Sequence, residues 1–208
     1  MEAYLEVILN LVGFLVGLAI GVMSVMGFRN TASPTLLRLS LAFISISMGF
    51  MIVWIGYMAE LLPARPGQTG WWVETLGVGV QTLGYFFIAF SHGIKSFFPK
   101  SRYLRTVGVF PLFLVSSVQL SHILRSVSFV LLVYVAIETI LSYLESRNRG
   151  TISVALGLSM LALGEFLSWY SMVFPGTIIY AISLMIKIGG LVALCIPLSR
   201  IPFQRIRL

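Results

Sequence analysis

The sequence predicts an all-α, polytopic membrane helix bundle with seven transmembrane helices, the N-terminus outside and the C-terminus in the cytoplasm. Three observations carry this reading. The chain has 208 residues, 58% of them hydrophobic and only 10% charged, whereas a soluble domain carries about 25% charged residues. Its apolar residues fall into charge-bounded runs that match the roughly 20 residues a membrane span needs. Its lysines and arginines gather on alternate connections, as the positive-inside rule requires.

Helix 1 is predicted over 6–28 and closes at Arg29-Asn30. It lacks a basic leader and an A-x-A-type cleavage site, so it reads as a retained helix. Helix 2 covers 35–60 and runs into the Pro/Gly-rich segment Pro63-Ala64-Arg65-Pro66-Gly67. Helix 3 covers 72–94, followed by a basic loop from Lys95 to Arg105. Helix 4 covers 105–120, helix 5 covers 125–144, and Arg147-Asn148-Arg149-Gly150 makes a turn. Helix 6 covers 151–173, Pro175-Gly176 makes a tight turn, and helix 7 covers 177–198.

The joint between helices 4 and 5 is the weak point, because only residues 122–125 separate them. Fusing them would leave six spans. Charge bias separates the two counts. Seven spans place Arg29, Arg38, Lys95, Lys100, Arg102, Arg105, Arg147, Arg149, Arg200, Arg205 and Arg207 inside, against Arg65 and Arg125 outside. Six spans would turn the last five arginines outward, against the rule.

The whole of 1–208 reads as one transmembrane domain in the cell membrane, with no repeat at a fixed period and no linker. The net charge of +7 is spent on the cytoplasmic loops, so nucleic acid is not an expected partner. No effector domain is visible, so a sensor built on this chain needs a membrane protein partner or a homo-oligomer. Gly13, Gly17 and Gly21 recur at four-residue spacing on helix 1, a small-residue face that lets backbones approach, either within the bundle or between chains. Trp71, Trp72 and Tyr57 near the outer boundary, and Phe97, Phe98 and Tyr103 near the inner one, are interfacial anchors.

Glu138, Glu165 and Lys187 cannot be moved into loops. A charge at mid-bilayer costs roughly 2.5–3.5 kcal/mol on insertion scales and is a functional hypothesis by default. Counted from the turn at Pro175-Gly176, Glu165 and Lys187 lie about 15–17 Å deep, and Glu138 lies about 20 Å beyond Arg125, at 1.5 Å per residue. Equal depth on consecutive helices suggests an ion pair or a cluster, with Ser168, Ser183, Tyr85 and Gln81 as polar neighbours. A structural salt bridge and a ligand or proton site are both consistent with it. Arg38 reads as a cytoplasmic anchor.

Other chemistries find no foothold. His92 and His122 lie at opposite ends of their helices, so they cannot share a haem iron. The single cysteine, Cys195, forms neither an internal disulfide nor a CxxC metal site. HExxH, GxSxG and Gly-rich phosphate loops are absent from the sequence, so no metal site, catalytic constellation or enzyme activity is expected.

Helix 7 reads Ser183-Leu-Met-Ile-Lys187-Ile-Gly189-Gly190. A lone lysine in the middle of the seventh helix, four residues after a small polar position, resembles the retinal-lysine helix of microbial rhodopsins. The resemblance covers that helix and the topology. It implies a retinal Schiff base on Lys187 with a nearby carboxylate as counter-ion. The leading expectation is a non-enzymatic sensor, receptor or accessory subunit acting through a partner. A rhodopsin-like retinal-binding photoreceptor or pump, and a small transporter or proton path through Glu138, Glu165 and Lys187, are the alternatives.

Overall fold

The computed structural model describes residues 2–61, 70–93, 120–147, 149–174 and 177–199. Among them are six α-helices: α1 Glu2–Thr31, α2 Pro34–Leu61, α3 Gly70–Gly93, α4 Leu120–Ser146, α5 Arg149–Val173 and α6 Thr177–Ser199. All six are long and apolar enough to cross a bilayer, so the chain is a multi-pass membrane protein. Helices are forced here because lipid offers no partner to a free N–H or C=O, and only intra-segment bonding satisfies every backbone group. Polar side chains inside the spans follow the same logic. Ser24 donates to the Ile20 carbonyl, Thr82 to Val78 and Thr139 to Val135.

Several boundaries differ from the sequence reading. The predicted span over 105–120 lies outside the described residues, apart from Leu120. The residues expected to separate it from the next helix, 122–125, are themselves helical, within α4. Arg125 is therefore not an outer-loop residue, and it is 2% exposed inside the bundle. Its charge is tolerated there because carboxylates from α3 and α5 meet it, as described below. α1 and α2 are joined by only Ala32 and Ser33. Ala32 takes a positive φ of 52° and its N–H bonds the Phe28 carbonyl at 2.7 Å, while Pro34 opens α2 at the position where its missing N–H is not needed.

Each helix packs on its sequence neighbours, α3 packs on α4 across residues 94–119, and α6 returns onto α1. The six described helices thus form a closed ring. Its interior is lined by Ile20, Phe43, Phe50, Ile88, Leu132, Leu158 and Leu191. The glycine stripe of α1 is used within the chain, with Gly13 facing Phe50, Gly17 facing Ser47 and Gly21 facing Ile44 of α2. Glu74, four residues into α3, bonds Arg125, five residues into α4. Gly79 lies against Leu124, and Thr82 bonds Ser128. α3 and α4 therefore start at the same end of the ring and run parallel, unlike every sequence-adjacent pair joined by a short turn.

The contacts of α2 with α3 recur between α5 and α6. Gly49 faces Gly77 and Gln81, and Gly164 faces Ser183 and Lys187. Gly84 faces Ala42 and Ile46, and Gly190 faces Gly157 and Leu161. Ala42, Ile46, Gly49 and Val53 step along α2 at the same spacing as Gly157, Leu161, Gly164 and Ser168 along α5. The bundle holds two equivalent helix pairs, although the sequence shows no fixed-period repeat.

Close approach at the two central glycines is required by the geometry. A Cβ on Gly164 would sit 3.1 Å from the Ser183 carbonyl oxygen and 3.3 Å from the Lys187 nitrogen. Gly49 is equally hemmed in by the Gly77 oxygen, at 2.6 Å. At Gly79 the nearest atom is the flexible end of Leu124, at 3.6 Å. Gly49→Val and Gly164→Val should each destabilise by about 1–3 kcal/mol through overpacking, while Gly79→Ala should be near neutral. Thermal melts in detergent check this, and equal effects at all three sites would refute the tight-crossing account.

Candidate functional site

α5 ends at Val173 and α6 begins at Thr177, and the glycine contacts just described hold the two together. Glu165 and Lys187 face each other across that contact. The Lys187 ammonium lies 2.8 Å from Glu165 Oε1, and both side chains are buried. The Lys187 stem fills the space left by the missing Cβ of Gly164, so the small residue sets where the ammonium ends.

Glu165 Oε1 also accepts a hydrogen bond from the Tyr85 hydroxyl at 2.9 Å. Its Oε2 lies 3.7 Å from an Arg125 guanidinium nitrogen, and Arg125 reaches Glu74 at 2.8 Å with the other. The Tyr180 ring lies under that guanidinium, 5.8 Å from its carbon. Two cations and two carboxylates therefore form one line, Glu74–Arg125–Glu165–Lys187, with no net formal charge. Pairing and hydrogen bonding of this kind are what a low-dielectric interior demands of an ionised group. Glu74 is 30% exposed by side chain, whereas the other three are at most 2% exposed. The line thus runs from an accessible end of the ring toward its middle.

The sequence-predicted residues divide into two groups. Lys187, Glu165 and Tyr85 meet directly. Ser168 and Ser183 bond each other at 2.8 Å, one turn beyond the pair. Ser183 donates its proton to the Tyr180 carbonyl at 2.6 Å, so Ser168 is the donor of that pair. Gln81 is buried against Gly49, in the position on α3 that Lys187 holds on α6. Glu138 stays apart, and among the described residues Lys187 pairs with Glu165 and not with it. Two factors remove it. The helix begins at Leu120 and not near Arg125, so Glu138 lies about 27 Å along it at 1.5 Å per residue. It also misses the inward stripe of α4, Arg125, Ser128, Leu132, Val135 and Thr139, all buried, whereas Glu138 is half-buried. Arg38 packs over Phe90, 5.3 Å from the ring centroid, at the opposite end of the ring.

Sequence reasoning missed Arg125 and Glu74 as members of the cluster. Both lie within two turns of a helix start, where a charge ordinarily reads as a boundary. The signal available was Ser126 and Ser128 beside Arg125, polar residues that a lipid-facing helix start does not need.

Glu165 meets the Lys187 ammonium, while Gly164 meets the near part of the same side chain, at Cγ and the backbone nitrogen.

The pair can be tested by a double-mutant cycle. Glu165→Gln strands Lys187 and Lys187→Met strands part of Glu165, and removing one partner of a buried pair costs about 3–5 kcal/mol. The double variant should recover part of that loss. Strictly additive losses in thermal melts would mean that the two groups do not interact.

No protein-family model matches the chain, and no significant match to it was found among the curated proteins or the solved structures.

Proposed function

We propose that the protein is a non-enzymatic membrane sensor or receptor whose interior charge line receives a small solute or a proton from one end and passes the change to a membrane partner. The observation that carries this is where the line ends among the described residues. It begins at part-exposed Glu74 and stops at Lys187. One and two turns farther along the helices the interior is closed by Leu161 and Leu158 on α5, Leu191 and Leu194 on α6, and Ile88 on α3. A polar path that ends midway suits a site that is read, more than a route that is crossed. An ionisable group held inside a membrane bundle is functional by default, and here a proton or ligand at Glu165 would loosen α3, α4 and α6 together.

Transport is the second reading, and the matching α2–α3 and α5–α6 contacts favour it, because carriers are often built from two repeats with the site between them. Proteoliposomes holding a pH-sensitive dye separate the two. The receptor reading expects no proton flux above protein-free vesicles under an imposed pH gradient. A flux that Glu165→Gln abolishes would replace it with transport.

The proposal includes seven spans in the cell membrane, with the accessible end of the line outside. The parallel course of α3 and α4 supports the count, because residues 94–119 must carry the chain from one end of the ring to the other. Arg29, Arg38 and Arg147 all belong to the end away from Glu74, which the positive-inside rule assigns to the cytoplasm. A reporter fused after Leu208 should then be cytoplasmic and one inserted at Pro66-Gly67 external. The same side for both would overturn this topology.

A further inference from the structure

Five buried polar atoms among the described residues have no hydrogen-bond partner: Asn10 Oδ1, Trp54 Nε1, His122 Nδ1, Arg125 Nε and Trp169 Nε1. They come from four helices, yet all belong to one end of the ring. Asn10 lies near the start of α1, and His122 and Arg125 lie near the start of α4. Trp54 and Trp169 lie near the ends of α2 and α5. This is the end where Glu74 is exposed. Native interiors leave few such atoms, because a buried polar group without a partner is costly.

The two tryptophans are equivalent by the repeat of contacts. Trp54 lies one turn beyond Phe50, and Trp169 one turn beyond Glu165, and both of those residues are buried on the inward face of their helix. Residues four apart share a helix face, so one indole N–H comes from each half of the ring. The chemistry of the five atoms is mixed. The two indole N–H groups and Arg125 Nε only donate, Asn10 Oδ1 only accepts, and a neutral His122 Nδ1 accepts in one tautomer. The nearby formal charges already cancel, so an added ion would stand uncompensated.

We infer that this end of the ring binds a small uncharged polyhydroxylated solute, a polyol or monosaccharide, between the two helix pairs. Hydroxyl groups both donate and accept, which meets the mixed set of atoms without disturbing the charge balance. The indole faces offer apolar surface to the carbon skeleton. The inference rests on the receptor reading and names the class of its solute. A positive flux result would revise that reading without touching this binding site, whereas absent binding would sink this inference alone.

The test uses the full chain in nanodiscs, with erythritol, xylitol and glucose as probes and sodium acetate as the charged control. Intrinsic tryptophan emission should change saturably with at least one polyol and not with acetate. Trp54→Phe and Trp169→Phe each keep an aromatic ring and remove one donor. Each should weaken the affinity about two- to tenfold, the worth of one net hydrogen bond, with the remaining indole still reporting. The inference is overturned if no polyol gives a saturable change in the wild-type chain, if acetate alone does, or if both phenylalanine variants bind as tightly as the parent.

Discussion

Glu165 holds four helices to one another through a single carboxylate. Its two oxygens meet Lys187 of α6, Tyr85 of α3 and, at longer range, Arg125 of α4, while its own backbone belongs to α5. Between apolar helices in lipid there is little hydrophobic drive, and association relies on close packing and interhelical polar contacts. The ring of helices uses both. Glycines bring α5 onto α6 and α2 onto α3, and the charge line ties α3, α4, α5 and α6 from one end of the ring to its middle. At the α5–α6 contact the two devices are coupled. A larger residue at Gly164 would displace the lysine stem, and a displaced lysine would leave a carboxylate unpaired where solvation is poorest.

That dependence bears on the proposed receptor role. Two apolar side chains of similar volume would hold α5 to α6 without the desolvation penalty, since replacing buried ion pairs with packed hydrophobes is often neutral or stabilising. Four charges in this place, one of them reaching an accessible end, are what the proposed receptor would need. The serine pair Ser168–Ser183 adds hydrogen-bonding capacity one turn away. In the other half the corresponding contact is between Val53 and Gly77, which carry no polar side-chain atom. At this contact the second pair carries hydroxyl groups where the first carries none.

Much of this was legible in the amino-acid sequence, and the reasons it stopped are specific. Composition and apolar runs gave the membrane helices. Counting residues from Pro175-Gly176 placed Glu165 and Lys187 at equal depth on adjacent helices, and the structure sets them 2.8 Å apart. The same counting misled for Glu138, because depth says nothing about which face of a helix a residue occupies, and because the origin of the count, Arg125, was itself inside the helix. Arg125 and Glu74 escaped for one shared reason. A charge near the start of an apolar run looks like the boundary of that run unless its partner is known, and the partners lie 51 residues apart in sequence. The repeat escaped because the two helix pairs preserve where backbones touch and not which letters fill the rest.

The likeness of the two helix pairs has a historical consequence. If they descend from one duplicated segment, Phe50 and Gln81 stand where Glu165 and Lys187 stand in the copy. A glutamate arriving alone opposite a neutral partner would have buried an unmatched charge, and so would a lysine. Glutamine at the lysine position offers a route, since its amide can donate to a carboxylate without carrying charge. The first half then preserves, at Gln81, the kind of neutral placeholder through which a lineage could have acquired a membrane-buried ion pair one mutation at a time.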